Sequence, residues 1–99
     1  MLQLTRNNFH REAESAQIPV FVQFSPDRLP GEELEKRYGD KYKFCRVNPE
    51  EEKELTERFR LLRLPSWLVL SRGQVIQRIS GLPENLEKIL ESGPDEDIM

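Results

Sequence analysis

The sequence predicts an α/β domain in which a central mixed β-sheet is flanked by helices, in the order β-α-β-α-β-α-β-β-α. Three observations carry that expectation. Short runs rich in β-branched and aromatic residues alternate with amphipathic stretches of helical period. The last two of these runs follow one another directly across a turn that carries a glycine. The 99 residues, 36% hydrophobic and 33% charged, suffice for one domain with one core and rule out a two-domain enzyme.

Met1 to Thr5 is read as the first strand. Asn7 and Asn8 stand where they can cap a helix, and Phe9, Ala13 and Ala16 at i, i+4 and i+7 share its buried face while His10, Arg11, Glu12 and Glu14 face water. Pro19 opens Val20-Phe21-Val22-Gln23-Phe24, a composition suited to a buried strand, which stops at Ser25-Pro26. Pro30 and Gly31 lead into a helix over Glu32 to Tyr38, whose acidic start complements the helix dipole. Tyr42 to Val47 is the third strand. Asn48-Pro49-Glu50-Glu51-Glu52 combines a cap, a first-turn proline and three carboxylates, which predicts a helix starting at Pro49 with Leu55, Phe59 and Leu62 as its buried stripe. Leu68-Val69-Leu70 and Val75 to Ile79 flank Ser71-Arg72-Gly73-Gln74 as a hairpin with Gly73 at positive φ, and Gly81 ends the second strand. Pro83 starts a last helix with Leu86, Ile89 and Leu90 as its apolar face. The domain spans residues 1–91, and residues 92–99, rich in Asp and Glu, form an acidic tail expected to fray.

Fifteen Lys and Arg against 18 Asp and Glu give a net charge of −3, with the basic residues dispersed, so bulk charge points neither to nucleic acid nor to a membrane surface. No apolar leader follows Met1, and the longest apolar run, Leu64 to Leu70, is interrupted by Pro65 and Ser66. Neither a signal peptide nor a membrane span is expected. A single cysteine, Cys45, excludes an internal disulfide, and with the lone His10 it cannot supply a zinc site of the common Cys/His type. The expected setting is the reducing cytoplasm, with no metal and no cofactor.

The element order, together with L-T-x-x-N-F at the start and P-V-F-V-Q-F on the second strand, resembles the thioredoxin family. The spacings agree with it: 10 residues from Phe9 to Pro19, 17 from Asn48 to Pro65, 8 from Pro65 to Gly73 and 8 from Gly73 to Gly81. R-L-P-S-W-L-V-L is similar to the family segment whose proline is cis, with Pro65 at that position and Ser66 where a threonine is usual. The resemblance covers residues 1 to 91 and implies a thioredoxin fold. Its chemistry does not carry over. Where a thioredoxin has W-C-G-P-C after the second strand, this chain reads Ser25-Pro26-Asp27-Arg28-Leu29-Pro30-Gly31-Glu32, so Leu29 and Glu32 stand at the two cysteine positions. The second helix is shortened, and Gln23 replaces the buried family carboxylate. Thiol exchange needs an attacking thiolate and a second thiol to resolve the mixed disulfide, and this chain has no such pair.

The resemblance therefore implies a redox-inactive thioredoxin-like protein that binds or helps assemble another protein. In relatives the loop before the cis proline and the loop after the second strand hold an extended substrate through main-chain hydrogen bonds, a mode that outlives the cysteines. Carried onto this chain, the partner-binding surface comprises Pro26, Asp27, Arg28, Leu29, Pro30 and Gly31, then Arg63, Leu64, Pro65 and Ser66, and Gly81 and Leu82. The partner is a protein or extended peptide rather than nucleic acid or membrane. The alternative is a single-cysteine redox protein or thiol sensor using Cys45, although a cysteine in mid-strand behaves first as a small hydrophobe. His10 reads as a solvated surface residue, Gln23 as a buried amide satisfied by backbone, and Trp67 as core. Arg58, Arg60 and Arg63 read as the salt-bridged face of the third helix, with an anion- or RNA-binding patch as the competing use.

Overall fold

The computed structural model describes residues 1–81 and 86–92. Strand β1 is Leu2–Gln3, β2 Val20–Phe24, β3 Lys43–Val47, β4 Ser66–Ser71 and β5 Gln74–Ser80; helix α1 is Gly31–Tyr38, α2 Lys53–Arg58 and α3 Leu86–Ser92. Between β1 and β2, His10–Glu14 forms a single π-helical turn, closed by Ser15 N–H donating to His10 O at 2.9 Å. The five strands make one sheet in the order β1-β3-β2-β4-β5. β1 and β2 run parallel to β3, β2 and β4 are antiparallel, and so are β4 and β5. This is a thioredoxin fold, a mixed sheet flanked by helices.

Strand β2 lies at the centre and is buried at all five positions, which accounts for its near-continuous apolar run. Alternation along the strands divides the core between the two faces. Val20, Val22, Phe24, Cys45, Val47, Leu68 and Leu70 pack with Phe9, Ala13, Leu55 and Phe59 on one side. Phe21, Phe44, Trp67 and Val69 pack with Leu34, Tyr38, Tyr42, Leu86 and Leu90 on the other. At the β4–β5 hairpin, Arg72 (φ 52°) and Gly73 (φ 84°) are the two central residues, the backbone of a tight turn that requires positive φ twice.

Several local expectations are corrected. The amides of Glu51 and Glu52 both donate to Asn48 O, and Glu50 N–H donates to Asn48 Oδ1, so Asn48 caps a turn rather than a helix. Glu52 then leaves helical geometry (φ −114°, ψ 64°), its carboxylate accepts Arg6 N–H, and α2 begins only at Lys53. Leu55 and Phe59 are buried as expected, but Leu62 is 96% exposed. The reason is the reversal after Phe59: Arg60 takes φ 55°, Arg78 Nη1 donates to Phe59 O, and Leu61 instead of Leu62 packs on the core. Glu12 and Glu14 do not simply face water. Glu12 is held by Lys43 and Arg11, and Glu14 by Arg58 and His10, and both carboxylates are mostly covered. Pro83 and the acidic tail from residue 93 lie outside the described residues, whereas Leu86 and Leu90 take the buried positions expected of them.

Candidate functional site

A row of polar side chains crosses the sheet near the C-terminal ends of β2 and β3. In register, Gln3 on β1 stands beside Arg46 on β3, Arg46 beside Gln23 on β2, and Gln23 beside Trp67 on β4. Neighbouring strands place these residues on one face, and Gln23, Arg46 and Trp67 are buried. A buried polar group must find partners. Gln23 Oε1 accepts from Trp67 Nε1 at 2.9 Å and from Gly31 N–H at 2.8 Å, while its Nε2 donates to Asp27 O at 3.0 Å and Leu29 O at 3.5 Å. Arg46 Nη1 donates to Gln3 Oε1 at 2.8 Å, and its Nη2 donates to Pro26 O at 3.0 Å and Ser25 O at 3.3 Å. Gly31 is dictated by the same geometry, since a Cβ there would stand 2.7 Å from Gln23 Oε1.

These two side chains together bind the carbonyls of Ser25, Pro26, Asp27 and Leu29 from inside. With its carbonyls drawn inward, the loop after β2 presents side chains outward. Pro26 is exposed and Leu29 is 56% exposed. Leu64 and Pro65 line the same open groove of about 530 Å³, together with Pro49, Glu50 and Lys53. The Leu29–Pro30 and Leu64–Pro65 peptide bonds are both cis. Pro65 O accepts from Gly81 N–H at 3.1 Å, so Gly81 adjoins this bend. Among the described residues, neither the amide nor the carbonyl of Leu64 has a hydrogen-bond partner.

The structure thus brings Pro26, Asp27, Leu29, Leu64 and Pro65 together on one groove, and Arg28, Pro30 and Arg63 adjoin it along the chain. Ser66 and Gly31, expected on the same surface, are buried. Ser66 Oγ turns inward, donating to Arg63 O and lying 3.4 Å from Ser80 Oγ, because β4 already begins there between β2 and β5. Leu82 lies outside the described residues. Sequence reasoning missed Pro49, Glu50 and Lys53, which line the groove from the turn that replaces the expected helix start and from the first residue of α2. It also missed Arg46, whose one visible signal is a charge inside the otherwise apolar run Phe44-Cys45-Arg46-Val47.

Cys45 is fully buried in β3, and that burial pushes its thiol up to about 11. His10 stands on the surface beside Glu14. Arg58, Arg60 and Arg63 do not share a helix face. Arg58 ends α2, paired with Glu14 and stacked over Phe9 and Phe59, whereas Arg60 and Arg63 belong to the loop beyond. Among the described residues no helix is long and apolar enough to cross a membrane.

Comparison with known proteins agrees with this architecture. The family model described as hydrogenase-1 expression protein HyaE matches residues 9–87. Thioredoxin 1 of Nostoc sp. is 26% identical over 102 residues, covering 89% of this chain and 95% of that protein. The crystal structure of Malassezia sympodialis thioredoxin superposes with a TM-score of 0.77 at 20% identity, covering 95% of this chain and 91% of the other, which shows the shared fold.

Proposed function

The chain belongs to the thioredoxin-like family of hydrogenase-1 expression protein HyaE, and from that premise we propose that it serves hydrogenase expression as a non-catalytic binding module, holding an extended segment of a client polypeptide in the groove. One observation carries the reading. Leu29, which the ungapped resemblance sets at a thioredoxin's attacking thiol, is half-exposed on the groove, while the single cysteine is sealed in the sheet. Apolar contact takes the place of sulfur chemistry.

Recognition by this groove draws its free main-chain carbonyl from Leu64 and not from the loop after β2. Extended peptides add to a protein through main-chain hydrogen bonds that fix their direction, with side-chain pockets giving selectivity. Here the main-chain contact falls to Leu64, whose amide and carbonyl are free among the described residues. The loop after β2 contributes the side chains of Pro26 and Leu29, while its carbonyls at Ser25, Pro26, Asp27 and Leu29 serve Gln23 and Arg46. A redox role for Cys45 has no support in the geometry: thiolate is the reactive form, and burial disfavours it.

The test is capture of hydrogenase subunits co-produced with the immobilised chain. Leu29→Asp is expected to weaken capture by at least about tenfold, the worth of roughly 1.4 kcal/mol of lost apolar contact, and Cys45→Ala to leave it unchanged. Capture that survives Leu29→Asp, or that requires Cys45, contradicts the proposal.

A further inference from the structure

We propose that the groove and the loop beside it form a self-complementary surface through which two copies of this chain associate about a two-fold axis, with Leu62 of each copy entering the groove of the other. Six large hydrophobic residues are exposed among the described residues, and three of them, Leu29, Leu62 and Leu64, belong to this groove and its adjoining loop. Leu62, at 96% exposed, is a knob on a fixed support: Arg60 at φ 55° turns the chain outward, and Arg78 holds Phe59 O at 2.7 Å. The groove, about 530 Å³ and walled by Pro26, Leu29, Leu64 and Pro65, has ample room for a leucine side chain; an apolar cavity of about 150 Å³ already admits benzene.

Charge selects a second copy as the occupant. Most carboxylates and cations elsewhere on the surface are paired, Arg28 with Glu32 and Arg58 with Glu14 among them. Asp27 and Glu50 on the groove, and Arg60 and Arg63 on the knob loop, form no ion pair among the described residues. Counting Lys53, the groove carries −1 against +2 on the loop. A two-fold axis sets the loop of each copy against the groove of the other, and every contact made once is made twice. The patch is small, so the association is weak and reversible. It stands independently of the client reading and adds a consequence to it: self-association and client binding compete for one groove.

Sedimentation velocity of the purified full chain from about 10 µM to about 1 mM, spanning the weak range of affinity, tests this directly. The sedimentation coefficient is expected to rise from monomer toward dimer, less steeply in high salt. Leu62→Asp, at a position too exposed to affect folding, should raise the dimer dissociation constant at least tenfold, about 1.4 kcal/mol. Arg63→Glu should weaken association, and adding Glu50→Arg to it should restore part of the loss. A monomer throughout the range overturns the proposal, as does a dimer indifferent to Leu62→Asp and to the charge exchange. Client capture is measured separately, and a monomeric chain can still capture its client, so the failure of one reading does not carry the other with it.

Discussion

Replacing Gln23 by Leu tests whether the polar row holds the groove in place. The substitution nearly preserves volume but leaves Trp67 Nε1–H and Gly31 N–H, both buried, without an acceptor, and frees the carbonyls of Asp27 and Leu29. An orphaned buried donor costs about 1–3 kcal/mol. The carbonyls of Asp27 and Leu29 belong to exposed residues of a loop and, once released, can turn out to water, and the leucine side chain regains about 1 kcal/mol of apolar transfer. We therefore expect a net loss of about 2–4 kcal/mol, read as a lower midpoint in urea with an unchanged slope. A double-mutant cycle sharpens the test. Trp67→Phe removes one of the orphaned donors, so Gln23→Leu combined with Trp67→Phe should be less destabilising than the two single changes added, by about 1–2 kcal/mol. Far-UV circular dichroism is the suitable probe, because Trp67 is the only tryptophan. A Gln23→Leu protein as stable as the parent to within about 0.5 kcal/mol, or strict additivity in the cycle, would refute the reasoning.

Three further outcomes follow from the same structure. Native Cys45 should react far more slowly with a thiol reagent at pH 8 than it does in denaturant, since burial raises its pKa to about 11 from an ordinary 9.0; equal rates would place it at the surface. Glu12, whose carboxyl is held below its ordinary range chiefly by the hydrogen bond from Lys43 and then by Arg11, contributes stability that is fully present above the unfolded carboxylate pKa and disappears as pH falls through the lower folded value. Glu12→Gln should accordingly flatten part of the acid limb of a melting-temperature profile, and an unaltered limb would show that the pair contributes nothing. Ser66→Arg should abolish folding rather than act on the surface, because it forces an unpaired charge into a fully buried position between Phe24 and Ser80; a soluble variant with a parental melting temperature would contradict the burial.

Strands were the most legible part of this chain, and the reason is physical. A strand buried on both faces must be apolar throughout, as Val20 to Phe24 nearly is, and a two-residue hairpin needs positive φ where Arg72-Gly73 stands. The helix beginnings were less legible because capping is local and a turn competes for the same groups. Asn48 uses its side chain and carbonyl as a cap would, yet Glu52 is drawn off to Arg6, 46 residues away. The same non-locality hid half of the site. The neighbourhood of Leu29 and Leu64 was readable by resemblance, but Arg46 acts on carbonyls about 20 residues distant in sequence. Whether Leu61 or Leu62 faces inward depends on Arg78 of β5 gripping the carbonyl of Phe59 at the end of α2.

The central claim, binding without thiol chemistry, is tested most directly by measuring capture of hydrogenase subunits and insulin-disulfide reduction on one preparation of the wild-type chain, Leu29→Asp and Cys45→Ala. One buried thiol cannot complete a dithiol cycle, so no insulin turnover is expected from any of the three. Capture should be retained by the wild type and Cys45→Ala and lost at least tenfold by Leu29→Asp. Turnover that disappears with Cys45→Ala, or capture indifferent to Leu29→Asp, would contradict the account.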